Sequence, residues 1–196
     1  GSNSEFQLVD ERIVGRKPSI LNNAQAAALP LTAITAWEGL FDRLQIAQDK
    51  NAAPKTLLII GGAGGVGSIA IQLAKVLTNV TIVATASRSE SADWCKSLGA
   101  DFVIDHHQPF APQLDAQSIQ KPDYIFCLNS TENHWVSMAD VIKPQGHICS
   151  IVELSSPVDL NLIKNKSVSF SWELMFTRSL FETDDMIEQH HLLNRV

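Results

Sequence analysis

Apolar residues fall in short, nearly continuous runs along the chain, at 57–61, 80–85, 102–104, 124–128, 147–152 and 167–172. Runs of that length without alternation predict strands buried on both faces. Between most of them, apolar positions recur at helical spacing. Val66, Ile69, Ala70, Leu73, Ala74 and Leu77 form one stripe. Ser89 is placed to cap a second helix ending at Gly99, and Thr131 a third ending near Pro144. Strands alternating with helices in this way predict an α/β fold with a doubly wound parallel sheet of six strands.

The N-terminal stretch follows another pattern. Residues 5–14, "EFQLVDERIV", read as the end of a strand-rich unit. Asn22 and Asn23 are good caps for a short alanine-rich helix over 24–29, which Pro30 is expected to stop. Ala33, Trp37, Leu40, Phe41 and Leu44 then predict an amphipathic helix over about 32–45. A turn is expected at 51–54.

Composition narrows the classes. The 196 residues, 45% hydrophobic and 18% charged, suit one globular domain with a piece of another. A net charge of −6 argues against nucleic acid as a partner. Cys95, Cys127 and Cys149 form no CxxC pair, as expected of reduced thiols in a cytoplasmic protein. No run is long enough to span a membrane, and no signal-peptide pattern opens the chain.

The candidate chemistry sits after the first run, in "KTLLIIGGAGGVGSIAIQLAK". Gly62, Gly64 and Gly67 satisfy G-x-G-x-x-G between a strand and a helix, the context a dinucleotide site requires. Glycine permits the tight turn and clears the path for a pyrophosphate, which free N–H groups at the helix start then hold. The plain alternative is a glycine-rich turn with no ligand. No Lys-Ser/Thr follows the last glycine, so the loop is not a Walker A motif. The second strand ends in Ala86, Ser87 and Arg88, with no carboxylate before Glu90. An NAD site usually places a carboxylate there for the ribose 2′-hydroxyl, whereas Ser87 and Arg88 suit a 2′-phosphate and point to NADPH. Arg88 as an ordinary solvated arginine is the competing reading.

Taken together, "EFQLVDERIVGRKPSILNNAQAAALPLTAITAWEGLF", "GGAGGVGSIAIQLAK", "ATASRSES", "LGADFVIDH" and "PDYIFCLNS" resemble the medium-chain dehydrogenase/reductases. Within that superfamily the chain is similar to the zinc-free quinone oxidoreductase branch, often labelled zinc-binding alcohol dehydrogenase-like. The resemblance implies a tail of a GroES-like catalytic domain at residues 1–20 and a Rossmann cofactor domain over 21–196. It also implies a fragment, since members continue beyond "MIEQHHLLNRV". Zinc alcohol dehydrogenases carry a ligating Cys shortly before the "TAW"-like segment. Here Leu31 precedes Thr35-Ala36-Trp37, so no catalytic zinc is expected. His106-His107 and His190-His191 are read as surface histidines.

By match to the family, Gly62, Gly64, Gly65, Val66 and Gly67 hold the pyrophosphate, and Ser87 and Arg88 the 2′-phosphate. His106 stands where many quinone reductases have Tyr. Leu128 and Asn129 lie where the nicotinamide ribose passes, and Thr35, Ile151 and Val152 are nicotinamide neighbours; ordinary packing is the alternative for the apolar members. Cys127, inside "YIFCL", is expected to be buried and structural. No residue presents itself as a proton donor. The implied activity is hydride transfer from NADPH to a quinone or enone, with the fragment alone inactive. A zinc-dependent alcohol dehydrogenase and a non-enzymatic NADPH-sensing protein remain the alternatives. The resemblance also implies a homodimer through the sixth strand, 167–172.

Overall fold

The computed structural model describes residues 4–196. They divide into two compact units: a central unit over 35–173, and a terminal unit formed by the segment up to Ile34 together with 174–196. Residues 174–196 therefore group with the N-terminal segment.

The strands are β1 (Lys55–Ile60), β2 (Val80–Thr85), β3 (Phe102–Ile104), β4 (Tyr124–Cys127), β5 (His147–Ser150) and β6 (Ser169–Trp172). The α-helices among the described residues are α1 (Asn23–Ala27), α2 (Leu29–Trp37), α3 (Gly65–Leu77), α4 (Ser89–Leu98), α5 (Phe110–Ala116), α6 (Thr131–Val141), α7 (Asn161–Lys164), α8 (Thr177–Leu180) and α9 (Glu188–Arg195). All strand pairings are parallel, in the order β3-β2-β1-β4-β5-β6. This is the six-stranded Rossmann order, with its reversal between β1 and β4.

Neighbouring residues of each inner strand point to opposite faces, and both faces are covered. Leu57 and Ile59 of β1 pack with Ile82, Ala84 and Phe126 against Ala70, Ile71 and Ala74 of α3. Leu58 and Ile60 pack with Val83, Ile125 and Ile148 against Phe110 and Leu114 of α5 and Trp135 and Met138 of α6. Two-sided burial is why these strands read as unbroken apolar runs. Burying a Leu or Phe side chain contributes about 1.5–3 kcal/mol each, so these layers dominate the stability of the unit.

Several local expectations are corrected. Pro30 does not stop a helix; it sits in the first turn of α2, where its missing N–H costs nothing. Residues 38–43 are not a continuation of regular α-helix but a π-helical segment, with the Leu44 N–H donating to Gly39 O at 3.0 Å. The cap positions of α4 and α6 are Arg88 and Ser130, one residue before the expected Ser89 and Thr131. Gly99 ends α4 in the left-handed conformation, as predicted. Residues 5–10, read as the end of a strand-rich unit, pair with no strand among the described residues, and Phe6 and Leu8 are exposed.

In the terminal unit, α9 binds the stretch around residues 13–16. Gln189 Nε2 donates to Ile13 O at 3.1 Å, the Arg16 N–H to Asn194 Oδ1 at 3.0 Å, and His190 Nδ1 lies 2.7 Å from Val14 O. His190 is thus half-buried and bonded rather than a surface residue, whereas His191 is exposed beside Glu188.

Phe126 has no exposed surface and sits at the centre of one face. Phe126→Ala is expected to lower the unfolding free energy of the chain by about 3–5 kcal/mol, read from urea denaturation followed by circular dichroism.

Candidate functional site

The strand order reverses between β1 and β4, and the loops leaving their carboxyl ends part there. A cavity of about 520 Å³ opens at this point. Its floor is the glycine turn. Gly61, straight after β1, has φ of +86°, a conformation side chains disfavour. Its N–H donates to Thr85 Oγ1 at 3.0 Å, and the Gly64 N–H closes the turn on Gly61 O at 3.1 Å.

α3 starts directly from that turn, with Gly64 as a cap that offers no side chain. The first helical bond runs from the Ser68 N–H to Gly64 O at 2.8 Å. The N–H groups of Gly65, Val66 and Gly67 therefore have no helical acceptor, and all three residues line the cavity. Gly67 is required by packing: a Cβ there would lie 2.5 Å from both Gly61 O and Gly62 O. A bare helix N-terminus facing a cavity suits an anion, through its free donors and the helix dipole.

The adjoining wall is the loop from β2 to α4. Ala86, Ser87, Arg88 and Ser91 line the cavity, and Arg88 is exposed, with Nη2 3.4 Å from Ser91 Oγ. Among the described residues no Asp or Glu lines it. His106 after β3, Leu128 and Asn129 after β4, and Ile151 after β5 complete the wall.

Ten of the residues singled out in the sequence thus meet around one cavity: Gly64, Gly65, Val66, Gly67, Ser87, Arg88, His106, Leu128, Asn129 and Ile151. Three others lie outside its lining. Gly62 sits behind the turn, against Ala84 and Cys95. Thr35 is buried, and the Val152 carbonyl accepts from Thr131 Oγ1 at 3.4 Å. Sequence reasoning missed Gly61 and Thr85. Their signals were present: a glycine doublet directly after the strand, and a hydroxyl residue closing the neighbouring one. Cys127 is fully buried, and burial pushes its thiol up to about 11, so no thiolate is on hand at neutral pH.

Such a turn and cavity at the switch point of a doubly wound sheet define the class of dinucleotide-binding domains. Comparison with known proteins narrows this. Residues 65–189 match the family model described as zinc-binding dehydrogenase, and the chain belongs to that family, within the medium-chain dehydrogenase/reductase superfamily of oxidoreductases. A zinc-type alcohol dehydrogenase-like protein of Staphylococcus epidermidis is 45% identical over 197 residues, covering all of this chain and 58% of the relative. An NADPH-dependent alkenal/one oxidoreductase of Arabidopsis thaliana (chloroplastic) is 42% identical over 106 residues, 54% of this chain and 26% of the relative. The crystal structure of a putative zinc-dependent alcohol dehydrogenase from Rhizobium etli superposes with a TM-score of 0.92 at 53% identity, covering 100% of this chain and 57% of that one. The chain thus spans somewhat over half the length of the relatives it matches end to end.

The family description implies zinc. The described residues do not fit it: no group of three or more His, Cys, Asp or Glu could hold a metal ion, and Leu31 offers no ligand. The nicotinamide cofactor that the family binds fits better, because the cavity has free amides and a bare glycine turn.

A second polar cluster lies at the same carboxyl edge, just beyond β6. Glu38 of the π-helical segment and Glu173 are both buried, and Arg43 Nε donates to Glu173 Oε2 at 2.8 Å. Arg43 Nη2 is 3.8 Å from Glu38 Oε2. Two buried carboxyls facing one guanidinium cannot both ionise cheaply. Burial first, and then the charge and hydrogen bond of Glu38, push Glu173 up to about 8. A carboxyl whose folded value is raised stabilises fully below its unfolded value, and that stabilisation is lost as pH rises towards the folded one. Between about pH 4.5 and 8, thermal stability should therefore fall with pH, and Glu173→Gln should flatten the decline, as read from melting temperatures across that range.

Proposed function

We propose that this chain is the NADPH-binding part of an oxidoreductase that reduces quinones or other conjugated carbonyls by hydride transfer. One observation carries the reading: the cavity at the switch point joins a bare helix mouth to Ser87 and Arg88, with no carboxylate on its wall among the described residues. A carboxylate there would bond a ribose 2′-hydroxyl and repel a 2′-phosphate.

The roles follow from position. The amides of Gly65, Val66 and Gly67 hold the diphosphate bridge. Arg88 neutralises the 2′-phosphate with a fork of donors, and Ser87 adds a hydroxyl. Leu128, Asn129 and Ile151 steer the chain of the cofactor along the ends of β4 and β5 towards the nicotinamide. When bound, the reduced nicotinamide supplies the hydride; the protein orients it and excludes water. The name of the Arabidopsis relative supports both the phosphorylated cofactor and a conjugated carbonyl as substrate. Thr35 and Val152 are proposed as nicotinamide neighbours only through the resemblance. The three cysteines are all unpaired and buried, which supports a reducing, cytoplasmic setting. No helix of the described residues is long and apolar enough to cross a membrane.

Calorimetric titration tests the reading. NADPH should bind more tightly than NADH, and Arg88→Gln should reduce that advantage by about tenfold to a hundredfold, the value of one charge-assisted pair. Gly64→Val should fold, since a Cβ at that position meets only Gly61 O at 3.3 Å, yet bind neither dinucleotide. Equal binding of NADPH and NADH to the unsubstituted chain would overturn the reading.

We further propose a homodimer through β6, which bonds to β5 on one edge only and leaves Trp172 half-exposed. An open edge of this kind is a template for a second copy. Light scattering at increasing concentration should approach the mass of two chains; a persistent monomer would refute the pairing.

A further inference from the structure

A second polar cavity, also about 520 Å³, adjoins the first and shares His106 and Asn129 with it. Two further imidazoles line it, His107 from the same loop and His134 from α6. The His106 ring lies 4.2 Å from that of His107 and 6.1 Å from that of His134, edge-on to the latter. Phe110 of α5 lies against the other side of the His134 ring, at 5.8 Å.

The loop that carries His106 is held firmly. Gln113 accepts from the Asp105 N–H at 2.7 Å and donates to the Asp105, Gln108 and Pro109 carbonyls. On the facing side Ser130, just before α6, holds a left-handed φ of 47°, a strained conformation of the kind found at ligand sites. His106 thus lines the first cavity together with Arg88 and the second together with His134.

We infer that His106 is the proton-accepting partner of Arg88 for the adenosine 2′-phosphate, so that the preference for the phosphorylated dinucleotide carried by Arg88 is graded by proton uptake. The inference rests on the NADPH reading above and deepens it. His106 touches the phosphate; His107, its ring 4.2 Å away, tunes the protonation of His106 without touching the ligand.

The electrostatics support this sense. Burial and the neighbouring His107 lower the His106 pKa, against the pull of Asp105. Burial, His106 and His107 lower that of His134, against Glu132. Glu132 is itself engaged by the Ser155 hydroxyl, and α5 presents the uncharged Phe110 to this side. The free rings are thus neutral near pH 7, and a phosphate dianion beside His106 favours its imidazolium. Binding then takes up a proton, and affinity for NADPH falls as pH rises. The cofactor's own phosphate, with a second ionisation near about 6, would move affinity the other way.

The test is calorimetry on the full chain with NADPH and NADH between pH 6.5 and 8.5, in two buffers of different protonation enthalpy. NADPH should take up a proton and lose affinity by as much as about tenfold per pH unit over part of that range. NADH should do neither. His106→Gln should still bind NADPH through Arg88 but lose the proton uptake and the slope. His107→Gln should raise the His106 titration midpoint, followed by NMR of the His106 ring proton, and move the slope upward in pH with it. NADPH binding tighter than NADH but flat in pH and without proton uptake would overturn the inference while leaving the Arg88 reading intact. Equal affinity for both dinucleotides at every pH would overturn the Arg88 reading and the inference together. Should His106→Gln fail to fold, the proton uptake of the unsubstituted chain decides the matter alone.

Discussion

Everything at the site depends on how closely α3 approaches the end of β1. Gly67 packs on the carbonyls of Gly61 and Gly62 at a distance that leaves no room for even a methyl group. That contact starts the helix immediately behind the turn, which keeps its first amides at the cavity and not in solvent. The buried layers on both faces of the sheet hold the two elements in this register. A helix displaced by a single residue would turn its free donors away from any ligand. Packing in the core and chemistry at the rim are therefore one constraint.

The fold was legible because two-sided burial writes itself into sequence as unbroken apolar runs; β1, β2, β3 and β4 each appeared within a residue or two of their observed limits. Local features driven by one residue type were less legible. Pro30 is compatible with both ending one helix and opening the next, and only the tertiary placement of α2 decides between them. The π-helical register of 38–43 has no marker in its spacing. It coincides with a buried Glu38 beside Arg43 and Glu173, a contact between residues far apart in the chain. Residues 5–10, read as the end of a strand-rich unit, show the same limit: a ladder needs a partner, and no pattern within a segment shows whether one is present.

At the site itself, the residues that sequence reasoning found are those whose type is tied to ligand chemistry, such as Gly64, Gly67 and Arg88. The ones it missed act through the protein. Thr85 holds Gly61 with its hydroxyl, and that role depends on β1 and β2 being neighbours in the sheet. His134 is close to His106 only because α6 returns alongside the loop after β3. Gly62 was assigned to the pyrophosphate from the motif, yet it faces Ala84 and Cys95 behind the turn. The motif marks the turn correctly; it does not say which glycines face the ligand and which face the sheet.

A chain of net charge −6 must still attract a dinucleotide that is itself strongly anionic. The structure meets this locally. The wall of the cavity carries Arg88, free amides and His106, and among the described residues no carboxylate faces it. Two acids close to lining residues are engaged elsewhere: Glu132 with Ser155, and Asp105 with the His107 N–H. Coulomb interaction in water fades over about 10 Å at ordinary ionic strength, so the sign of the few groups at the rim outweighs the sign of the whole chain. Fixed amide dipoles and imidazoles suit this setting, because they favour the bound phosphates without leaving a large unpaired charge in the empty cavity. A second arginine in place of His106 would bind more strongly, but it would face the like charge of Arg88 and lose the proposed dependence on pH.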